Sequence, residues 1–262
     1  MHSVNRISLL ACIIAVLLFA GCASQPSPKQ SNVSGSWVES TLKQLTLKEK
    51  IAQMIMSRAY GYYYSSESDE FHRIAQSVRD HKVGGVIFFQ GDVLETAAMV
   101  NQLQRMSDIP LLVAGDFEWG TAMRIRRSTR FPEAMALGAS RDSALSYAVG
   151  TAIGEETRAI GVQIDFAPVA DVNVNPENPV INTRSFGENP ELVATLATAY
   201  TRGVQLSGAL SVAKHFPGHG DTQTDSHLNL PLVLHSRARL DSVELVPFRR
   251  LIQNNVNGIM VA

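Results

Sequence analysis

The sequence predicts an α/β fold on a parallel sheet, of the (β/α)8 (TIM) barrel type, ending after about six strands. Three observations predict it. Six short apolar runs alternate with longer segments of helical period, the pattern of buried parallel strands joined by crossover helices. No Gly-x-Gly-x-x-Gly follows the early strands, as a dinucleotide-binding doubly wound sheet would require. Polar residues instead follow several different strands: Asp116 after the third, Asp171 after the fourth, Lys214-His215 after the fifth. In barrels such residues converge on one face. Alternation alone would fit a doubly wound sheet equally, so the last two observations decide.

The expected strands are residues 53–56, 85–89, 111–114, 163–169, 210–213 and 258–261, each short and apolar. Helical candidates lie between most of them. Residues 69–81 open with an acidic turn, Asp69-Glu70, and 94–106 carry apolar residues at helical spacing. Residues 143–159 do the same, and 190–206 begin with Pro190, whose missing N–H costs nothing at a first helical position. Residues 239–254 close the series. A barrel needs eight strands and the pattern supplies six, so the expectation is the first three quarters of one.

Composition sets the class. Of 262 residues, 45% are hydrophobic and 18% charged, enough apolar material for one substantial core. A formal net charge of −1 gives no electrostatic footprint for nucleic acid. The N-terminus reads separately. His2 and Arg6 precede an apolar stretch over 7–20, too short to span a bilayer comfortably and suited to a secretory leader. Leu18-Phe19-Ala20-Gly21-Cys22 resembles a bacterial lipobox, with Phe19 where an aliphatic residue is usual. The expectation is a leader over 1–22, lipidation of Cys22, a flexible tether over 23–35 and a membrane-anchored exported lipoprotein, in the periplasm or at the cell surface. An ordinary leader with an incidental cysteine is the alternative. Cys12 falls inside the leader, so the mature chain would hold one cysteine and no internal disulfide.

Residues 214–227, Lys-His-Phe-Pro-Gly-His-Gly-Asp-Thr-Gln-Thr-Asp-Ser-His, concentrate the chemistry. Asp225 and His227 lie two positions apart past a strand end. A carboxylate on one imidazole nitrogen fixes the tautomer and leaves the other free to exchange a proton. Alone, such a pair is more often a turn cap beside a surface histidine. Lys214 and His215 end an apolar strand, where a cation needs a polar or anionic partner; sugar hydroxyls and an internal ion pair both fit. His215, His219, Asp221, Asp225 and His227 also include enough nitrogen and oxygen donors for a metal. Pro217 and two glycines break the helix that His-x3-His would need, so no metal or other cofactor is expected. Asp116, with Trp119 and Arg124 behind it, and Arg184 would suit a polyol, the arginines offering planar multidentate donors.

These segments together resemble the N-terminal barrel domain of family 3 glycoside hydrolases, over about 42–262. The motifs are Gly84-Gly85-Val86-Ile87, Asp116-x-Glu118, Phe131-Pro132-Glu133-Ala134-Met135 and Ile164-Asp165-Phe166-Ala167-Pro168-Val169-Ala170-Asp171-Val172. Asn178-Pro179-Val180-Ile181, Arg184-Ser185-Phe186-Gly187 and the 214–227 loop complete the set. The loop resembles that of the β-N-acetylglucosaminidase (β-N-acetylhexosaminidase) subgroup. Trp119 departs from the glycine many members carry.

The resemblance implies a barrel domain over 36–262 and a carbohydrate substrate. It implies terminal-sugar binding by Asp116, Arg124, Arg184, Lys214 and His215, with His227 as general acid/base and Asp225 as its partner. Most retaining glycosidases use two carboxylates, and the subgroup resembles an exception in which His–Asp replaces one. It also implies an aspartate nucleophile after a later strand than any here. The expected activity is retaining, exo-acting release of terminal β-linked N-acetylglucosamine from cell-wall or chitin-type oligosaccharides. A β-glucosidase of the same family and a non-catalytic, lipid-tethered sugar-binding protein are the alternatives.

Overall fold

The computed structural model describes residues 33–222, 232–233 and 235–262. The leader, Cys22, most of the expected tether, Asp225 and His227 lie outside the described residues. The chain divides into two units, 1–45 and 46–262. In the first, α1 (Val33–Gln44) begins within the last residues of the expected tether and exposes Trp37, Val38 and Leu42. No helix among the described residues is long and apolar enough to cross a membrane.

The second unit is an α/β fold with one all-parallel sheet. Thr46 starts α2 (Leu47–Ala52) with a reciprocal cap: its hydroxyl accepts from the Glu49 N–H, and the Glu49 carboxylate accepts from the Thr46 N–H. The first strand was expected at 53–56. Residues 53–55 instead close the end of α2, with Met54 and Ile55 N–H groups bonded to Ile51 and Ala52 carbonyls. β1 (Met56–Gly61) therefore starts where the expected strand was to end. α3 (Asp69–Arg79) buries Phe71, Ile74, Ala75 and Val78, one stripe at helical spacing. It leads to β2 (Gly85–Asp92), α4 (Val93–Met106) and β3 (Leu112–Gly115).

A two-residue β4 (Ile125–Arg126) and a seven-residue α5 (Ala134–Ser140) come next, neither among the expected elements. α6 (Ser143–Ala159) and α7 (Pro190–Leu206) match their expected bounds, capped by Asp142 and Asn189. They pack closely because Gly150 and Gly203 face each other's partner helix. A Cβ on Gly150 would sit 2.3 Å from the Tyr200 carbonyl oxygen.

The expected strand 163–169 shortens to β5 (Ile164–Asp165). Pro168, which has no N–H to give, interrupts it, and pairing resumes only at Val169 opposite Lys214. β6 (Leu210–Phe216) follows. The single helix expected at 239–254 is two, α8 (Arg237–Ser242) and α9 (Leu245–Gln253). Pro247 explains the break, since its ring would clash with the Val243 carbonyl in a continuous helix. Val243 leaves helical geometry, at φ −127° and ψ −77°. β7 (Gly258–Val261) completes the sheet.

The strand order is β1-β2-β3-β5-β6-β7, with β4 paired to the far end of β2. Apart from β4, successive strands are neighbours and the order does not reverse. A doubly wound sheet has such a reversal and places its ligand there. Sequential parallel order is barrel order, and it brings the C-terminal ends of β2, β3, β5 and β6 to one side.

Candidate active site

The ends of β3 and β6 supply the floor of the site. Asp116 follows β3 directly, and Lys214 lies in β6 with 2% of its surface exposed. The Lys214 ammonium lies 2.7 Å from Asp116 Oδ1 and 2.7 Å from Glu118 Oε1. Arg124 Nη2 donates to Asp116 Oδ2 at 2.9 Å. Arg184 donates from Nε and Nη2 to the two Glu118 oxygens, at 2.9 and 2.7 Å. Two carboxylates and three cations therefore alternate in one network, and each carboxylate oxygen is engaged.

Burial disfavours both anions, yet the cations win. Burial would raise Asp116, but the adjacent Lys214 and then Arg124 charges hold it below the usual carboxylate range. Burial likewise opposes Glu118, and the Arg184 fork with the Lys214 charge brings it down to about 2. Arg184 loses by burial and regains more from Glu118, which leaves it above its ordinary value. Both carboxylates are therefore held in their ionised form at neutral pH.

Asp171, beyond β5 and wholly buried, organises the other wall. Its Oδ2 lies 2.6 Å from His215 Nδ1, and it accepts from the backbone N–H groups of His215 and His219. With Nδ1–H held toward Asp171, His215 turns Nε2 outward, 3.4 Å from Arg184 Nη2. Asn178 Nδ2 donates to the His219 and Thr222 carbonyls, pinning the turn that leads out of β6. Gly220 is required there, since a Cβ would fall 1.9 Å from the Val172 carbonyl oxygen.

Together these elements enclose a cavity of about 530 Å³. Asp116, Arg124, Arg184, Lys214 and His215 all line it, so the five residues expected at a sugar site are in one place. Phe89, Trp119, Met123 and Phe166 supply apolar surface around the charged floor. Such a lining, with polar groups fixed by mutual ion pairs and aromatic faces beside them, suits a neutral ring rich in hydroxyls. Two contributors were not identified from sequence. Asp171 was noted only as a strand-end acid, although a charge at the end of the apolar run Ala167–Ala170 signals a buried partner. Glu118 enters the sequence analysis only within the Asp116-x-Glu118 motif, and the structure shows it orienting Arg184.

Of the nitrogen and oxygen donors that could have served a metal, His215 Nδ1 meets Asp171 and His219 Nδ1 meets the Thr222 hydroxyl, while Asp225 and His227 lie outside the described residues. Asp221, His235 and Glu244 converge on the outer side of the turn, where Arg239 already places a cation 3.2 Å from Glu244 Oε1.

Residues 46–262 match the model of the glycosyl hydrolase family 3 N terminal domain. The chain belongs to glycosyl hydrolase family 3. Within the family it is 39% identical over 201 residues to a protein of Pseudoalteromonas piscicida named beta-hexosaminidase A. That alignment covers 72% of this chain and 34% of the relative. It is 31% identical over 226 residues to a beta-N-acetylglucosaminidase/beta-glucosidase of Cellulomonas fimi, 86% of this chain and 39% of the relative. Among solved structures, a family 3 beta-N-acetylglucosaminidase of Paenibacillus superposes with a TM-score of 0.74 at 39% identity, covering 83% of this chain and 42% of that one. The chain thus spans between about a third and two fifths of these family 3 relatives.

Proposed function

We propose that this family 3 chain is the sugar-binding and acid/base portion of a retaining exo-β-N-acetylglucosaminidase acting on cell-wall or chitin-type oligosaccharides. The observation that carries the reading is the convergence of Asp116, Arg124, Arg184, Lys214 and His215 on one cavity. The similarity to proteins named for hexosaminidase activity supports the choice of sugar. In this reading the ionised floor binds the hydroxyls of the terminal ring. His227, backed by Asp225, protonates the leaving oxygen and then deprotonates the attacking water. The nucleophile is assigned to a carboxylate outside the described residues. Asp116, Glu118 and Asp171 are each held by two or more donors, and Asp165 is buried beneath the floor.

Full-length protein is expected to release nitrophenol from p-nitrophenyl β-N-acetylglucosaminide, and His227→Ala to remove roughly 99% or more of that rate. Indifference to His227→Ala would refute the dyad. The double name of the Cellulomonas relative favours a second reading, β-glucosidase activity in the same pocket. Equal turnover of the β-glucoside would establish it in place of the first. The reading also includes export and lipidation at Cys22, supported by the lipobox-like Leu18–Cys22; absence of labelled-palmitate incorporation in expressing cells would remove it.

A further inference from the structure

The turn that leads out of β6 carries a second polar cluster, none of whose members lines the cavity. Asp221 Oδ2 lies 2.6 Å from His235 Nε2. Arg239, in α8, places Nη2 3.9 Å from the same oxygen and 3.2 Å from Glu244 Oε1. Glu244, just before α9, is buried, with 2% of its surface exposed. It lies so close under the turn that a Cβ on Gly218 would fall 2.8 Å from the Glu244 Cβ. The backbone is held at both ends as well. Asn178 donates to the Thr222 carbonyl, and Ser236, the residue after His235, caps α8 by accepting the Arg239 N–H.

This cluster joins two points that are neighbours in space and 14 residues apart in sequence. The chain between them carries Asp225 and His227. His227 is six residues from Asp221 and eight from His235. Six residues reach about 20 Å at full extension, so the position of Asp221 bounds where the imidazole can act. Tying His235 to Asp221 bounds it from both ends and confines it to a smaller volume. An ion pair whose side chains are each about a quarter exposed adds little to global stability. Its consequence falls on the segment it brackets.

We propose that Asp221 and His235 are positioning residues for the acid/base step: their ion pair, braced by Arg239 and Glu244, holds both ends of the segment bearing His227 at the turn that follows β6. This rests on the reading in which His227 protonates the leaving oxygen. The same turn is anchored by Asp171, which also orients His215 in the cavity. The pair therefore ties the acid/base residue to the strand end that holds the sugar. A proton donor acts only within hydrogen-bond reach of its target. Loosening the pair leaves the cavity as it is and lowers the fraction of bound substrate that meets the donor.

The test uses full-length protein and two glycosides of N-acetylglucosamine that differ in their need for a proton, phenyl and 2,4-dinitrophenyl. His235→Ala and Asp221→Ala should each lower kcat/KM for the phenyl glycoside about ten-fold further than for the dinitrophenyl one, whose leaving group departs without protonation. His235→Gln, whose amide N–H can still meet Asp221, should recover most of the loss. The double variant should be no worse than either single one, as for two residues acting through one contact. A merely structural role would depress both glycosides alike. Equal losses on the two, no loss, additive losses in the double variant, or a His235→Gln as impaired as His235→Ala would each overturn the proposal. His227→Ala, measured beside them, tests the parent reading: if it too treats the two glycosides alike, the acid/base assignment fails instead.

Discussion

Asp165 should make this fold lose stability as pH rises from the acid range to neutrality. The residue ends β5, is wholly buried, and lies under the segment that carries Asp116 and Glu118. It accepts the Phe117 N–H at 3.1 Å and faces the buried Tyr200 hydroxyl at 3.4 Å. Burial pushes its carboxyl up to about 7, against a lesser pull from the Phe117 N–H. A raised carboxyl binds its proton more tightly folded than unfolded. Its contribution is therefore fully present below about pH 4 and drains away as pH rises toward 7. With an unfolded value near 3.9, the group costs roughly 2–3 kcal/mol of folding stability between pH 5 and pH 8. Asp165→Asn mimics the protonated acid: its amide oxygen can still accept from Phe117 and its amide N–H can meet Tyr200. Urea unfolding at the two pH values should show the pH 8 loss in the unsubstituted chain and a smaller one in Asp165→Asn, with nitrophenyl glycoside turnover retained. Equal pH slopes for the two proteins would refute the argument that Asp165 is a buried, proton-sharing prop.

Two further substitutions address the cavity itself. Lys214→Met leaves Asp116 and Glu118 facing each other without their shared cation, so it should cost about 3–5 kcal/mol and abolish turnover, seen in melting and in the nitrophenyl assay. Asp171→Asn keeps the volume but replaces an anionic acceptor of three N–H groups with a neutral amide. It should lower kcat/KM about ten-fold and alter the imidazole nitrogen shifts of His215, where a packing role alone would leave the tautomer untouched.

The fold class was legible from local signals, as were Asp116, Lys214 and His215 at strand ends; the full set of five, with Arg124 and Arg184, was implied by the family resemblance. Alternating apolar runs encode the strands, and charged residues at their ends mark the functional face. What escaped was set by geometry across the sheet. Residues 53–55 are apolar enough for a strand, and only their bonds back into α2 reveal a helix end. The break between α8 and α9 was written in Pro247, but helical spacing on both sides masked it. Asp171 could be placed at a strand end from sequence; that it grips His215, 44 residues later, depends on β5 and β6 being neighbours. β4 has two residues, too few for any period, yet it sets Arg126 beside β2.

The same sheet order explains why binding groups and structural groups are not separable here. Asp116 leaves β3 and Lys214 lies on β6, with β5 between them. Their ion pair joins positions 98 residues apart and spans that intervening strand at the site's floor. Glu118 and Arg184 add a second tie, 66 residues apart, from the β3 end to the loop after β5. An isolated charge there would be expensive, so the sheet tolerates these groups only as a set. In the proposed reading, a set already satisfied internally would meet a neutral sugar with fixed dipoles and little reorganisation on binding. A charged ring in the same cavity would have to break one of those pairs.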